Sequence, residues 1–111
     1  MTAVTVNLNE DQYSALCNIV FDIGAANFKN STLLQVVNEE QFDRLPSQFR
    51  RWVNAGGRKL PGFVWRRNNE IALFFSGTAI PRSVPIPGED LFPLDIYSGI
   101  AAQRLLSGPP I

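Results

Sequence analysis

The sequence contains no histidine and a single cysteine, Cys17. A disulfide within the chain is therefore impossible, and a metal site built from histidine and cysteine ligands is nearly excluded. Nucleophilic catalysis by a serine–histidine or cysteine–histidine pair is also excluded, because both need an imidazole base. Cys17 lies on the apolar stripe of a predicted helix, and we expect it to be a small buried hydrophobic residue. No metal and no cofactor is expected.

The formal net charge is zero, since ten basic and ten acidic side chains cancel. This balance argues against a nucleic-acid-binding protein with a strongly basic surface. The basic residues do cluster, either as solvated helix faces with one buried arginine or as a basic wall that faces an anionic polymer or an acidic partner. The cluster comprises Arg44, Arg50, Arg51, Arg58, Lys59, Arg66 and Arg67.

The N-terminus, MTAVTVNLNEDQ, has no basic segment followed by an apolar run, so it predicts no signal peptide. No stretch approaches the length of a membrane span. We expect synthesis in the cytoplasm.

Helical spacing and capping signals predict an all-α body of short helices. Asn9 and Gln12 can form a capping box for the first helix, and Gly24 can end it. Further helices or turns are predicted to open at Thr32, Asn38, Pro46 and Pro61, the third of these ending near Val53 and the last near Phe75. No alternation persists long enough to predict a strand. The expected core comprises Leu16, Val20, Phe21, Leu33, Phe49, Trp52, Ile71 and Phe74.

The composition changes at Ser76-Gly77, and six of the eight prolines follow it. We expect two units: a helical domain over residues 1–76 and a proline-rich tail over residues 77–111. The tail carries too many large apolar residues for a solvated linker, and Asp95 is a candidate cap for a short final helix. We expect the tail to pack on the body or on a partner.

The segments LNEDQYSALCNIVFDIGAANFKNSTLLQVVN, from Leu8, and RRWVNAGGRKLPGFVWRRNNEIALFF, to Phe75, carry a resemblance to a known family. They resemble the C-terminal helical lobe of the phage-type lysozymes, which are endolysins that hydrolyse peptidoglycan. The residues that carry the resemblance are Gln12, Ala15-Leu16, Phe21, Gly24, Ser31 to Leu34, Asn38, Arg51-Trp52, Ala55 to Gly57, Pro61-Gly62, Arg66-Arg67 and Glu70.

The resemblance implies a small helical bundle made in a bacterial or phage-infected cell. It also implies that the catalytic glutamate and its partners belong to an N-terminal lobe, whereas only seven residues precede Leu8. Glycoside hydrolysis usually needs two carboxylates roughly 5 to 10 Å apart. Adjacent acidic residues on one helix point about 100° apart and do not converge on one bond. We therefore expect no catalytic residue in this sequence.

Five residues are candidates for binding: Arg51, Trp52, Asn54, Trp65 and Arg66. Trp52 is a core tryptophan or a sugar-stacking platform. Trp65 stands where the family commonly has a polar or basic residue, and its predicted exposure suggests a contact surface. In the family an arginine on this helix faces the catalytic acid. Arg66 therefore either forms a surface pair with Glu70 or meets solvent, a ligand anion or a partner's carboxylate. Arg67 is expected to be a partly buried structural residue whose partner is Glu70 or a helix C-terminal carbonyl.

Three functional hypotheses remain open. The chain is a lysozyme-related domain that has lost catalysis and binds peptidoglycan or a protein. Alternatively, it is a fragment or split part of a muramidase that needs its N-terminal lobe. The third possibility is an interaction module, such as a phage inhibitor or adaptor, and a homo-oligomer is compatible with it.

Overall fold

The computed structural model of the chain describes residues 3–83, 88 and 91–97. A small sheet, with strand order β2-β1-β3, is set among the helices. Among the described residues no helix has the length and apolar character needed to cross a membrane. The elements are α1 (Glu10–Ile23), α2 (Ala25–Lys29), α3 (Thr32–Asn38), a 3₁₀ turn (Phe42–Arg44), α4 (Leu45–Arg50), β1 (Trp52–Ala55), β2 (Arg58–Lys59), α5 (Pro61–Phe74) and β3 (Leu94–Asp95).

Both ends of α1 follow the local sequence signals. The Asn9 side chain accepts a hydrogen bond from the Gln12 amide at 2.8 Å, and the Gln12 side chain accepts one from the Asn9 amide at 3.0 Å. The predicted capping box is therefore confirmed. Gly24 ends the helix with φ at +86°, a conformation that favours glycine, and its N–H donates to the Val20 carbonyl.

Two other predicted helix starts are wrong by position. Ser31, not Thr32, caps α3, because its hydroxyl accepts the Leu34 amide at 3.1 Å. Asn38 ends α3 instead of opening a turn, and its side chain binds the N-terminal segment through the Thr5 amide and the Ala3 carbonyl. The helix starts predicted at the two prolines are confirmed. Pro46 lies in the first turn of α4, and Pro61 begins α5.

The expectation of an all-α chain is wrong in one respect, although the body is rich in helix. The helix predicted to reach Val53 ends at Arg50, and β1 follows it. Gly56 and Gly57 have φ of +62° and +80°, and two consecutive positive values are what a two-residue hairpin turn requires. This turn folds β2 back on β1, so that Asn54 pairs with Lys59 in antiparallel register.

The strand β3 brings part of the tail onto the body. It pairs with β1 in parallel, and the Leu94 amide donates to the Arg51 carbonyl at 2.6 Å. Ile96 is 5% exposed, and the Asn27 side chain donates to its carbonyl at 2.7 Å. The helix predicted after Asp95 and most of the tail lie outside the described residues. The division of the chain at residue 76 therefore stays a prediction.

The core forms where α1, α3, α4 and α5 meet, and it confirms most of the expected residues. Phe49 is fully buried, and its ring meets that of Phe74 edge to face at 6.3 Å between centroids. Val20 is only partly buried, and Phe21 lies outside the core, since it is 87% exposed. It lies five residues after the buried Leu16, which places it about 140° away around the helix. The core face of α1 is instead formed by Ala15, Leu16, Ile19 and Ile23, and Cys17 is only partly buried.

We predict that Phe49→Ala destabilises the protein by about 3–5 kcal/mol, because it leaves a cavity among buried rings. Phe21→Ala, an identical truncation at an exposed site, should change the free energy of unfolding by less than about 0.5 kcal/mol. Urea denaturation of both variants measures the difference. Equal losses for the two substitutions would show that the core face of α1 is assigned wrongly.

Candidate functional site

Arg67 is the buried centre of a polar cluster between α1, α5 and β1. Its side chain is fully buried, and its Nε and Nη2 donate to the two carboxylate oxygens of Glu70 at 2.6 and 2.8 Å. Nη1 donates to the Trp52 carbonyl at 3.1 Å, and Nη2 also binds Asp22. The expected structural role of Arg67 is confirmed, with Glu70 as its partner, although the side chain is fully and not partly buried. A guanidinium buried at this depth requires such a set of acceptors.

Asp22 joins this cluster to the surface. Its carboxylate accepts from Arg66 in a bidentate pair, at 2.8 Å from Nε and 2.9 Å from Nη2. Of the alternatives left open for Arg66, the surface pair with Glu70 is therefore wrong, because Glu70 already binds Arg67 with both oxygens. The Asp22 side chain is 10% exposed and that of Arg66 is 44% exposed, so this pair lies at the edge of the cluster.

Glu70 has an altered acidity. Burial raises the pKa of its carboxyl, and the nearby negative charge of Asp22 acts in the same direction. The hydrogen bonds and positive charge of Arg67, with a contribution from Arg66, oppose this shift without cancelling it. Protonation of Glu70 therefore costs less in the folded protein than in the unfolded chain.

A shallow groove of about 260 Å³ lies beside the Asp22–Arg66 pair. Trp65 stands at this groove with 70% of its surface exposed, as the sequence predicted for this residue. The exposed Phe21 lies one turn along α1 from Asn18. A flat aromatic face next to amide groups suits a polar ligand that also has an apolar face. The residues that line the groove are Asn18, Trp65, Arg66, Asn69, Glu70 and Leu73.

The other three candidate residues lie at or near β1, away from this groove. Arg51 is buried, donates to the Phe92 carbonyl at 3.1 Å and stacks over the Phe92 ring at 5.0 Å. Trp52 is 4% exposed and belongs to the core, so its ring has little surface for a sugar. Asn54 is partly buried, and its Oδ1 has no hydrogen-bond partner among the described residues. A binding role for these three stays a prediction.

Sequence reasoning missed Asn18 and Asn69 at the groove and the role of Asp22 as partner of both arginines. Each of these residues is ordinary on its own helix. Only the packing of α1 on α5 brings them together. In the part of the chain that the structure describes, no group of three or more histidine, cysteine or acidic side chains is placed to hold a metal ion.

The raised pKa of Glu70 predicts a specific pH dependence. Because the folded state binds the proton more tightly, the contribution of Glu70 to stability is greatest below its unfolded pKa and falls as pH rises through the folded pKa. Glu70→Gln removes this titration. The stability of the wild type minus that of the variant, measured by urea denaturation, should therefore decrease from about pH 4 upwards. A difference that grows with pH would contradict the direction of the shift.

Comparison with known proteins agrees with this architecture. The family model for phage lysozyme matches residues 1–70. The chain is 37% identical over 82 residues to an endolysin of Bacillus phage PZA. The aligned segment covers 74% of this chain and 31% of the relative. It is 39% identical over 79 residues to an endolysin of Acyrthosiphon pisum secondary endosymbiont phage 1, covering 68% and 54% of the two chains.

An endolysin of Salmonella phage P22 is 40% identical over 74 residues, which is 66% of this chain and 49% of the relative. The chain thus spans between about a third and about a half of the length of these relatives. The matched residues 1–70 are well over half of its 111 residues. This chain belongs to the phage lysozyme family.

Proposed function

We propose that this chain binds a glycan strand of peptidoglycan in the groove beside Trp65 and does not hydrolyse it by itself. The observation that carries the proposal is the exposure of Trp65 next to Asn18 and the Asp22–Arg66 pair. A sugar ring has one face of C–H groups, which packs on an aromatic ring, and hydroxyl groups at its rim, which bind amides and charged side chains.

The carboxylates nearest to the groove support binding without hydrolysis. A general acid with a raised pKa is typical of glycosidases, and Glu70 has such a pKa. However, both of its oxygens accept from Arg67 inside a buried cluster, and Asp22 accepts from two arginines. Neither carboxylate is placed to give a proton to a bond in the groove. Their geometry fits a scaffold that supports the α1–α5 surface.

We predict that Trp65→Ala weakens binding to insoluble peptidoglycan about five- to tenfold, because stacking on the indole face is lost. Tyr97→Ala is the matched control, since Tyr97 is also an exposed aromatic, with 51% of its surface exposed, but does not line the groove. A co-sedimentation isotherm gives both affinities. If Trp65→Ala binds as the wild type does, the groove is not the glycan site. If the wild type does not sediment either, the chain does not bind peptidoglycan and the proposal is wrong.

We also predict that the purified chain leaves a cell-wall suspension turbid between mildly acidic and neutral pH. Turbidity measured over hours, with an active lysozyme as positive control, tests this. Clearing that is abolished by Glu70→Gln or Asp22→Asn would overturn the prediction and identify a hydrolytic site within this chain.

The second candidate function is the C-terminal part of a muramidase that acts only with an N-terminal lobe. The observation in its favour is the coverage of the relatives, of which this chain matches between about a third and a half. Adding an N-terminal lobe expressed from one of these endolysins distinguishes the two proposals. Clearing that requires both polypeptides would favour the split enzyme, whereas unchanged turbidity with retained sedimentation favours the binding domain.

A further inference from the structure

The structure sorts the basic cluster of the sequence into two groups. Arg67 and Arg51 are buried and hydrogen-bonded, Arg51 to Gln48 and to the Phe92 carbonyl, and Arg66 pairs with Asp22. Arg50 and Lys59 remain on the surface. Within the described part of the chain, neither of these two forms an ion pair. Their charges are thus not used by the fold.

These two side chains line one depression of about 270 Å³ where the end of α4, the β1–β2 hairpin and α5 meet. Asn68 lines it as well, and its Oδ1 lies 3.5 Å from the Arg50 Nε. Val53, Val64 and Pro93 supply apolar surface to the same depression. Arg67 also reaches it, but Glu70 and Asp22 neutralise that charge. No acidic residue is among the described lining residues.

We propose that this depression binds a small aliphatic carboxylate. The carboxylate lies between Arg50 and Lys59, and the aliphatic group packs on Val53, Val64 and Pro93. An arginine guanidinium matches the two oxygens of a carboxylate, and a lysine ammonium adds a point charge. The volume suits one amino-acid residue with its terminal carboxylate. The site is separate from the groove beside Trp65 and independent of the glycan proposal.

The experiment uses the full chain and two probes, N-acetyl-L-valine and its uncharged amide. Titration followed by amide NMR should show saturable shifts at Val53, Val64 and Asn68 with the acid and not with the amide. Raising the salt concentration should weaken binding of the acid, because the two cations are solvent-exposed and salt screens their charges. The D-enantiomer of the acid is a third arm. Tighter binding of the D form points to a peptide with D-residues as the source, and tighter binding of the L form points to a protein C-terminus.

Matched variants locate the charge requirement. Arg50→Gln and Lys59→Gln should each weaken binding of the acid about two- to fivefold, which lies within the range for one exposed ion pair. Arg58→Gln is the control, since it removes the same charge from the neighbouring residue of β2, which does not line the depression. Thermal melts establish that all three fold. Absence of a saturable shift, equal binding of acid and amide, or an Arg58→Gln effect as large as that of Lys59→Gln would each overturn the proposal.

Discussion

The guanidinium of Arg67 is the interaction on which the rest of this structure depends. It binds Asp22 from α1, Glu70 from its own helix and the Trp52 carbonyl from β1, so one side chain joins the two long helices to the sheet. Removing the Arg67 side chain alone would destabilise the protein strongly, because the carboxylates of Asp22 and Glu70 would lose their buried cation. This cluster fixes the position of α5 on α1. It thereby fixes the groove that both helices line.

Local signals in the sequence were sufficient for both ends of α1 and for the start of α5, but not for the start of α3, the end of α4 or the sheet. Asn9, Gly24 and Pro61 act through the backbone within a few residues of themselves, and their effects were predictable. The strand at Trp52 needs the hairpin turn at Gly56-Gly57 and the pairing with Leu94, some forty residues later. The turn had a local signal, two consecutive glycines. The pairing had none, because a two-residue strand shows no alternation.

At the candidate site too, only features that depend on one helix were predictable from the sequence. Exposure of Trp65 was predictable, because a tryptophan opposite the buried stripe of an amphipathic helix faces solvent. The partner of Arg66 was not, since Asp22 and Glu70 are both acidic and only the docking of α1 on α5 selects between them. The exposure of Phe21 also depends on how α1 packs on α5. The orientation of α1 that turns this ring to solvent also places Asp22 against the two arginines.

The parallel strand β3 has a kinetic consequence. The Asn27 side chain donates to the carbonyl of Ile96, 69 residues later in the chain, so this contact closes a long loop at a cost in chain entropy. A two-residue strand at a sheet edge belongs to the parts of a protein that open locally at low free-energy cost. Such opening releases the Gly57 amide from the Asp95 carboxylate and the Arg51 carbonyl from Leu94 without unfolding the helices. We therefore expect the amides of β3 to exchange hydrogen with solvent faster than those of α1 and α5.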